Sequence, residues 1–478
     1  MAIKDQPPGT TDSSAASAKS RKIRLVCNSA FNLMGVVIPA LVALACTPLL
    51  LRLLGPDLFG LLSIQLAVLV LLSVNDFGVS RAVVLVSIAR GGFSDAGERL
   101  QTVRAGLHLV LLLSCAVLLL SFLFPALLWL SGPALSADTL LSWLLVGFAS
   151  ALALPTLPLR ARLEIEERFA SLNVLRSAGA SLLFLAPLLA VWVEPTLVSA
   201  ALGHLASRAV VLLAFGALGG SELLRGLTGQ MRLLVAALPS LNSFPVHREL
   251  VARGSWLGIA GLVSMLIGYV DRFALGLLVG AAAVAPYAVA AELATKVWMV
   301  VGAMTAAATP QIAAGWKLQD ASWHLPFRLL AWGVCLTVLA IHAVFSLLGA
   351  PLLQLWLGDG FRPEMVSLLA ILSVGITINC ASQMNYVILL IAGGERAAAK
   401  LQFLILPLTI IASLAAARIW GPVGVAWVFT ARLALDSLAI RHLTSQRAGA
   451  ARAGLSYPVL ALMMAAAFFI HLASKAAA

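Results

Sequence analysis

Long apolar runs constrain the fold of this chain more than any other feature of its sequence. Runs of roughly 20 or more residues, each long enough for a helix to cross a bilayer, recur from near residue 26 to near residue 443. Charged residues make up only 11% of the chain, whereas soluble domains average about 25%. Lipid must therefore solvate most of the surface, and the sequence predicts an all-α, polytopic transmembrane helix bundle.

Twelve of these runs are predicted to span the membrane, and one further run is a candidate for an extra C-terminal helix. Several exceed the thickness of the hydrocarbon core, so we expect them to tilt or to extend beyond it. The twelve lie at 26–51, 57–88, 105–130, 137–159, 169–193, 196–219, 253–279, 282–312, 327–356, 364–392, 398–418 and 421–443, and the extra run at 455–474.

The basic residues predict the orientation of the chain. If the N-terminus is cytoplasmic, nearly all basic residues between the spans fall on the inside, as the positive-inside rule requires. Residues 1–24 are polar at first and then basic, without the apolar core of a signal peptide, so we predict a disordered cytoplasmic tail. The outside segments hold only Arg52, Arg362, Arg418 and Lys475.

Two lobes are predicted around a linker. The longest inside segment, 220–252, carries leucines at helical spacing beside arginines, which is typical of an interfacial amphipathic helix. It separates an N-lobe of six spans, 25–219, from a C-lobe of six spans, 253–445. Gly55 and Gly280, 225 residues apart, follow the first span of each lobe. Because six is even, the lobes share one orientation, which predicts a parallel pseudo-repeat around a central cavity.

Short motifs in both lobes resemble bacterial polysaccharide transporters, the Wzx-type flippases. The stretch 51–60 (LRLLGPDLFG) is similar to the loop after that family's first helix, and 75–79 (NDFGV) to its second-helix motif. In the C-lobe, the runs 355–358 (LWLG) and 421–426 (GPVGVA) also match. The C-lobe residues Asp271, Gly280 and Tyr287 follow the family pattern too, so the resemblance extends over roughly residues 25–445.

This resemblance implies membership of the multidrug/oligosaccharidyl-lipid/polysaccharide exporter superfamily. Such a flippase alternates between inward- and outward-open states and moves undecaprenyl-diphosphate-linked oligosaccharide to the outer leaflet of the bacterial inner membrane for surface polysaccharide biosynthesis. The implied partners are this lipid-linked substrate, membrane lipids, a polysaccharide polymerase and chain-length proteins, with no nucleic acid. No cofactor is expected, and a proton or sodium gradient is the candidate energy source.

Ionisable residues within the predicted spans are the candidate site residues, because charge at that depth is costly and commonly functional. A diphosphate carried through hydrocarbon needs a polar groove with cations, and bases outnumber acids in the spans. The predicted substrate-binding residues are Lys296, Arg208, Arg272, Arg81, Asn28 and Asn32. The predicted coupling or gating residues are Glu292, Asp76 and Asp271. No catalytic residue is predicted, and the five cysteines lack metal-ligand spacing.

Structural interpretations stand beside these roles. Glu292 and Lys296 are four residues apart on one helical face, so they also fit a self-neutralising pair. Arg432 and Asp436 have the same spacing, and we interpret them as a structural ion pair. Amides such as Asn28 can join helices instead of binding sugar.

Three other functions are compatible with parts of the sequence. A cation-coupled multidrug exporter of the same superfamily needs an acidic pocket, whereas these spans have an excess of bases. A membrane-embedded polysaccharide polymerase or ligase needs a sizeable outer loop with catalytic groups, and the predicted outer loops are short. A non-transporting assembly partner is the third alternative. We therefore expect a transporter and not an enzyme.

Overall fold

The computed structural model describes residues 10–74, 78–90, 96–130, 136–218, 244–317, 323–448 and 457–477. Regular structure in this part of the chain is entirely helical. The helices are α1 Thr10–Val74, α2 Val79–Ala89, α3 Ala96–Leu130, α4 Ala137–Ala153, α5 Thr156–Ile165, α6 Phe169–Val193, α7 Leu197–Leu218, α8 Phe244–Leu278, α9 Ala281–Thr295, α10 Val297–Lys317, α11 His324–Leu347, α12 Gly349–Leu357, α13 Glu364–Ile391, α14 Glu395–Ala448 and α15 Tyr457–Ala477, with a 3₁₀ turn at Gly358–Gly360.

Ten helical segments in the described residues are long and apolar enough to cross a membrane. Two of them, Val37–Leu72 and Glu395–Arg447, contain 36 and 53 residues, whereas about 20 suffice to cross the hydrocarbon core. A glycine with non-helical backbone interrupts each, Gly55 in the first and Gly421 in the second. Each segment therefore has the length of two of the predicted spans. The predicted all-α, polytopic fold class is confirmed, and the chain is a multi-pass membrane protein.

Some predicted spans consist of two helices. Span four is divided between α4 and α5 near Pro155, and span nine between α11 and α12 at Leu348. Proline explains the first division, because it lacks the amide hydrogen that would continue the helical hydrogen bonds. Span eight is divided between α9 and α10 at Lys296, which places a candidate site residue at a break in the helix.

The glycines that follow the first span of each lobe share an unusual backbone conformation. Gly55 has φ 73° and ψ 171°, and Gly280 has φ 115° and ψ 164°. Side chains disfavour positive φ, so glycine suits both positions. This local likeness agrees with a parallel repeat, although the lobe boundaries 25–219 and 253–445 remain a prediction.

Helices of the predicted N-lobe contact the C-lobe at one end of the bundle and the start of α8 at the other. At the end that is predicted to be outside, the Trp356 indole donates to the Leu44 carbonyl oxygen at 2.7 Å, and Arg52 pairs with an exposed carboxylate at 2.8 Å. At the opposite end, Arg90 donates to a Glu249 carboxylate oxygen at 3.1 Å. The carboxylate that pairs with Arg52 at the predicted outer end belongs to Asp359.

Close backbone packing of the lobes at Gly60 makes that residue a test of their interface. A Cβ atom at Gly60 would overlap the carbonyl oxygen of Ala281, whereas one at Gly302, also helical, would meet nothing within 4 Å. We expect Gly60→Ala to lower the free energy of unfolding by about 1–3 kcal/mol through overpacking. Gly302→Ala is the control and should be neutral or stabilising, because alanine favours helix. Thermal unfolding of the purified protein measures both, and equal melting temperatures would contradict the close packing.

Helix α15 falls on the candidate extra run 455–474. The buried His342 side chain connects α15 to the rest of the bundle. One imidazole nitrogen lies 2.9 Å from the Ala467 carbonyl oxygen of α15, and the other lies 2.8 Å from the Ser373 hydroxyl of α13. The apolar part of α15, Pro458–Leu472, is shorter than the ten spanning segments. Whether α15 crosses the membrane therefore remains a prediction.

The helices also extend into the two predicted polar segments. Helix α1 begins at Thr10, within the predicted tail 1–24, where alanines favour helix. Helix α8 begins at Phe244, within the predicted linker 220–252. Residues 220–243 lie outside the described part of the chain, so the amphipathic linker helix remains a prediction.

Candidate functional site

Charged and phenolic side chains gather where α8 meets α9. Asp271 is only 7% exposed, and its carboxylate accepts a hydrogen bond from the Arg272 backbone amide at 2.7 Å. The Arg272 guanidinium lies 5.0 Å from the centre of the Tyr269 ring, a cation–π contact. The Tyr287 side chain is fully buried and interacts electrostatically with both Asp271 and Arg272. The structure thus brings two predicted site residues, Asp271 and Arg272, into one network.

Glu292 and Lys296 form the ion pair that their spacing allows. The Lys296 ammonium donates to a Glu292 carboxylate oxygen, and both side chains are partly buried. Lys296 stands between α9 and α10, where its backbone amide reaches the Leu293 carbonyl oxygen at 3.3 Å. The break places the Lys296 backbone between the end of α9 and the start of α10 at Val297.

A small space of about 40 Å³ lies between the two lobes; we call it the small cavity. Residues of the N-lobe and of the C-lobe both line it, among them His204, Arg272 and Glu292. Since a water molecule needs about 10–15 Å³ of such space, the small cavity has room for a few waters. It is too small for a sugar or a diphosphate.

Arg208 and His204 form an unpaired polar group in α7. His204 is 1% exposed, and neither of its ring nitrogens has a hydrogen-bond partner among the described residues. The Nε of Arg208 is likewise buried without a partner there. Buried polar groups are normally hydrogen-bonded. This pair therefore marks a place where a ligand, a water or a second conformational state could supply partners.

A much larger space of about 780 Å³, the large cavity, lies within the C-lobe. Its volume falls in the range of small-molecule sites, about 300–1,000 Å³. Helices α8, α10, α13 and α14 supply its walls. The polar and aromatic residues among its lining are Ser264, Trp298, Asn379, Ser382, Gln383, Tyr386, Glu395, Arg396, Gln402, Arg432 and Asp436.

The predicted ion pair between Arg432 and Asp436 is wrong. The Asp436 carboxylate instead accepts a hydrogen bond from Gln402 at 3.1 Å. The Arg432 guanidinium lies 5.1 Å from the Phe429 ring centre, and its Nε is buried without a partner among the described residues. Both side chains line the large cavity, where the amide of Gln402 and not Arg432 is the hydrogen-bond partner of Asp436.

The remaining predicted site residues lie apart from this network or outside the described residues. Arg81 is exposed on α2, and no ion pair to it occurs in the part of the chain that the structure describes. Asn28 and Asn32 fall on α1, but their side chains lie outside the described residues, as does Asp76. Their predicted roles stay predictions.

Sequence reasoning overlooked Gln402, Tyr386, Glu395 and Arg396 as cavity residues. Gln402 carried a usable signal, because a lone amide within an apolar run commonly bonds to another helix. Glu395 and Arg396 begin α14 and resembled ordinary loop charges. No comparable signal marked Tyr386.

The charged side chains that line the large cavity are balanced. Two bases, Arg396 and Arg432, and two acids, Glu395 and Asp436, line it. The network at α8 and α9 is balanced as well, since Arg272 and Lys296 stand beside Asp271 and Glu292. Within the described residues, no three His, Cys, Asp or Glu side chains form a metal-binding group. The arrangement suits a polar organic ligand.

Comparison with known proteins relates this chain to transporters. The family described as polysaccharide biosynthesis protein matches residues 25–316, more than half of the chain. An O-antigen transporter of Shigella flexneri is 24% identical over 433 residues, which cover 88% of this chain and 97% of that protein.

Solved structures share the fold at low identity. An inward-facing multidrug resistance transporter of the MATE family, in the MOP superfamily, has a TM-score of 0.67 at 13% identity and covers 92% of this chain and 99% of that one. A MATE transporter from Vibrio cholerae has a TM-score of 0.57 at 17% identity, with 90% and 98% covered. These likenesses establish the fold, and the related proteins agree with the expectation of a transporter and not an enzyme.

Proposed function

The chain belongs to the polysaccharide biosynthesis protein family, and we propose on that basis that it is a flippase for lipid-linked oligosaccharide. The proposed substrate is an undecaprenyl-diphosphate-linked oligosaccharide, moved from the cytoplasmic to the outer leaflet. The O-antigen transporter that covers most of the chain supports this substrate class. The proposed location is the bacterial inner membrane, with a cytoplasmic N-terminus.

The large cavity is the observation that carries this proposal. A sugar head group that crosses hydrocarbon without a polar path must give up its hydrogen bonds to water, at a cost of several kcal/mol for each group. The large cavity provides about 780 Å³ of space whose lining includes charged, amide and hydroxyl side chains. Glu395 and Arg396, at one end of its lining, begin α14 after a turn that is predicted to be cytoplasmic.

Alternating access is the proposed mechanism. Contacts occur at both ends of the bundle, between Trp356 and Leu44 on one side and between Arg90 and Glu249 at the start of α8 on the other. Ion pairs near the surface are weak, about 0–1 kcal/mol, and the side chains of Arg90 and Glu249 are 28% and 27% exposed. Such contacts can break and form again as the lobes move, so that one end opens while the other closes.

The cationic residues are proposed to stabilise the diphosphate. Lys296 and Arg272 lie in the network at α8 and α9, and the Nε of Arg208 in α7 is buried without a hydrogen-bond partner among the described residues. Arginine binds phosphate oxygens with two parallel hydrogen bonds, whereas lysine acts as a point charge. Together they would form the proposed cationic groove, to which Arg81 and the amides Asn28 and Asn32 are further candidates.

Glu292 and Asp271 are the proposed coupling residues, with Asp76 as a third candidate. A proton or sodium gradient is the proposed energy source. Glu292 lines the small cavity, which has room for a few waters, so a small ion could reach its carboxylate. A polysaccharide polymerase and chain-length proteins are the proposed partners.

The charge balance of the large cavity distinguishes this proposal from export of cationic drugs. A cationic ligand would be favoured by an excess of acids, whereas the lining has two acids and two bases. The likeness to multidrug transporters is below 25% identity. It therefore supports the same fold and leaves the drug-exporter function as the weaker alternative.

Depletion of the protein tests the proposed function directly. We expect lipid-linked oligosaccharide to accumulate in the cytoplasmic leaflet and surface polysaccharide to be lost. A membrane-impermeant probe of the sugar, applied to intact cells and to opened vesicles, measures the fraction in each leaflet. Unchanged exposure of the intermediate on intact cells would reject the flippase and favour a drug exporter or an assembly partner.

A further inference from the structure

The lining of the large cavity has the chemistry of a saccharide site. Two aromatic side chains, Trp298 and Tyr386, offer apolar faces on which a sugar ring can lie. Amide side chains offer a donor and an acceptor each, as sugar hydroxyl groups do. The amides of this lining are Asn379, Gln383 and Gln402.

Hydrogen bonds orient the key side chains before any ligand arrives. The Trp298 indole donates to the Asn379 side-chain oxygen at 3.1 Å, which fixes the direction of the ring. Gln402 donates to one oxygen of the Asp436 carboxylate at 3.1 Å. Oriented side chains lower the entropy that a ligand must overcome on binding. This lining is therefore prepared for a ligand of defined shape.

An arginine with one buried, unpartnered nitrogen lies at the same wall. The Nε of Arg432 is buried and has no hydrogen-bond partner within the described residues, although the guanidinium contacts the Phe429 ring. A buried donor without a partner costs about 1–3 kcal/mol. A ligand with hydroxyl or carbonyl oxygens in the large cavity would provide the missing acceptor.

The net charge of the lining argues for a neutral ligand. Arg396 and Arg432 are offset by Glu395 and Asp436, so neither a diphosphate nor a lipophilic cation gains from the cavity as a whole. The candidate diphosphate ligands Lys296, Arg272 and Arg208 are absent from the lining. The two parts of the substrate would therefore bind at different places.

We propose that the large cavity holds the saccharide part of the substrate and not its diphosphate. This inference rests on the proposed flippase function and adds that the saccharide and the diphosphate bind at separate sites. The C-lobe cavity recognises sugar through Trp298, Gln402 and Asp436. Specificity for the oligosaccharide would then be determined mainly by the C-lobe.

Protection of an introduced cysteine from labelling tests this assignment. Ser264 lines the large cavity and is exposed to it, so Ser264→Cys in the full chain without its five native cysteines should react with a water-soluble maleimide. The probe is the oligosaccharide released by mild acid from the host's own lipid-linked intermediate. We expect saturating oligosaccharide to slow labelling by about tenfold, as for a site occupied about nine-tenths of the time. Ser136→Cys, on an exposed helix N-terminus far from the cavity, is the matched control and should label at an unchanged rate.

Two other probes distinguish the alternatives. Inorganic pyrophosphate and tetraphenylphosphonium should leave the labelling rate of Ser264→Cys unchanged. Protection by pyrophosphate would place the diphosphate in this cavity, and protection by the cation alone would favour a drug site. Either result, or no protection by oligosaccharide, overturns the inference. If Ser264→Cys does not fold, Ala399→Cys, on another wall of the cavity, serves the same test.

A tryptophan substitution provides the independent measurement. Trp298→Ala should raise the oligosaccharide concentration that gives half-maximal protection by about tenfold, through loss of a stacking contact, while Trp298→Phe should retain most of the affinity. Trp332→Ala, 45% exposed on α11, should change nothing. An unchanged affinity in Trp298→Ala would contradict the inference. The depletion experiment reports translocation separately, so saccharide binding without a leaflet change would refute only the flippase function.

Discussion

Replacing Lys296 by alanine is expected to reduce translocation of lipid-linked oligosaccharide by about 10- to 100-fold, the equivalent of one charge-assisted hydrogen bond of about 1.5–3 kcal/mol. The side chain is 26% exposed at the break between α9 and α10, and its partner Glu292 lines the small cavity. It is therefore accessible to a ligand, although it is already paired with Glu292. Membrane abundance should stay normal, because the substitution removes no large apolar contact.

The initial rate of leaflet transfer in proteoliposomes tests the Lys296 prediction, and immunoblots of membranes measure the abundance of the protein. Lys296→Arg should retain substantial activity, and Lys400→Ala, an exposed lysine on α14, should retain all of it. The double variant Lys296→Met, Glu292→Gln removes both charges of the pair. Wild-type transfer by that double variant would mean that Lys296 only neutralises Glu292, which contradicts a role in substrate binding.

Arg208→Ala is expected to abolish most translocation without destabilising the protein. The Arg208 Nε and both ring nitrogens of His204 are buried and lack hydrogen-bond partners among the described residues. No carboxylate lies within ion-pair distance of Arg208 in that part of the chain. A partly buried charge with no carboxylate within ion-pair distance is costly to the folded state, so its removal should leave the melting temperature unchanged or higher. Loss of transfer together with retained stability would identify Arg208 as functional.

The control for Arg208 is Arg176→Ala, which removes an exposed arginine from the neighbouring helix α6. It should transfer substrate at the wild-type rate. Arg208→Lys should recover part of the activity, since it restores a charge but not the planar guanidinium. Wild-type transfer by both Arg208→Ala and Lys296→Ala would refute the cationic groove altogether.

The sequence by itself determined that the chain is an all-α membrane bundle. Apolar runs of that length have few stable alternatives, because backbone groups in hydrocarbon must be satisfied within a helix. The pair Glu292 and Lys296 was readable as well, since residues four apart on a helix share a face whatever the neighbours are. Gly55 and Gly280 also indicated the ends of spans in the sequence. Both adopt positive φ in the structure, a conformation that favours glycine.

Only the tertiary structure decided where the site lies. Arg432 and Asp436 have the same spacing as Glu292 and Lys296, yet a hydrogen bond from Gln402 in another segment of α14 replaces their ion pair. Likewise, no local pattern places Trp298 and Asn379 in contact or opens a cavity between α8, α10, α13 and α14. The reason is that lipid is as apolar as leucine, so a spanning helix need not show in its sequence which face meets a neighbour. Length and composition bring a segment into the membrane, whereas the packing of polar groups between helices determines which of them face a ligand.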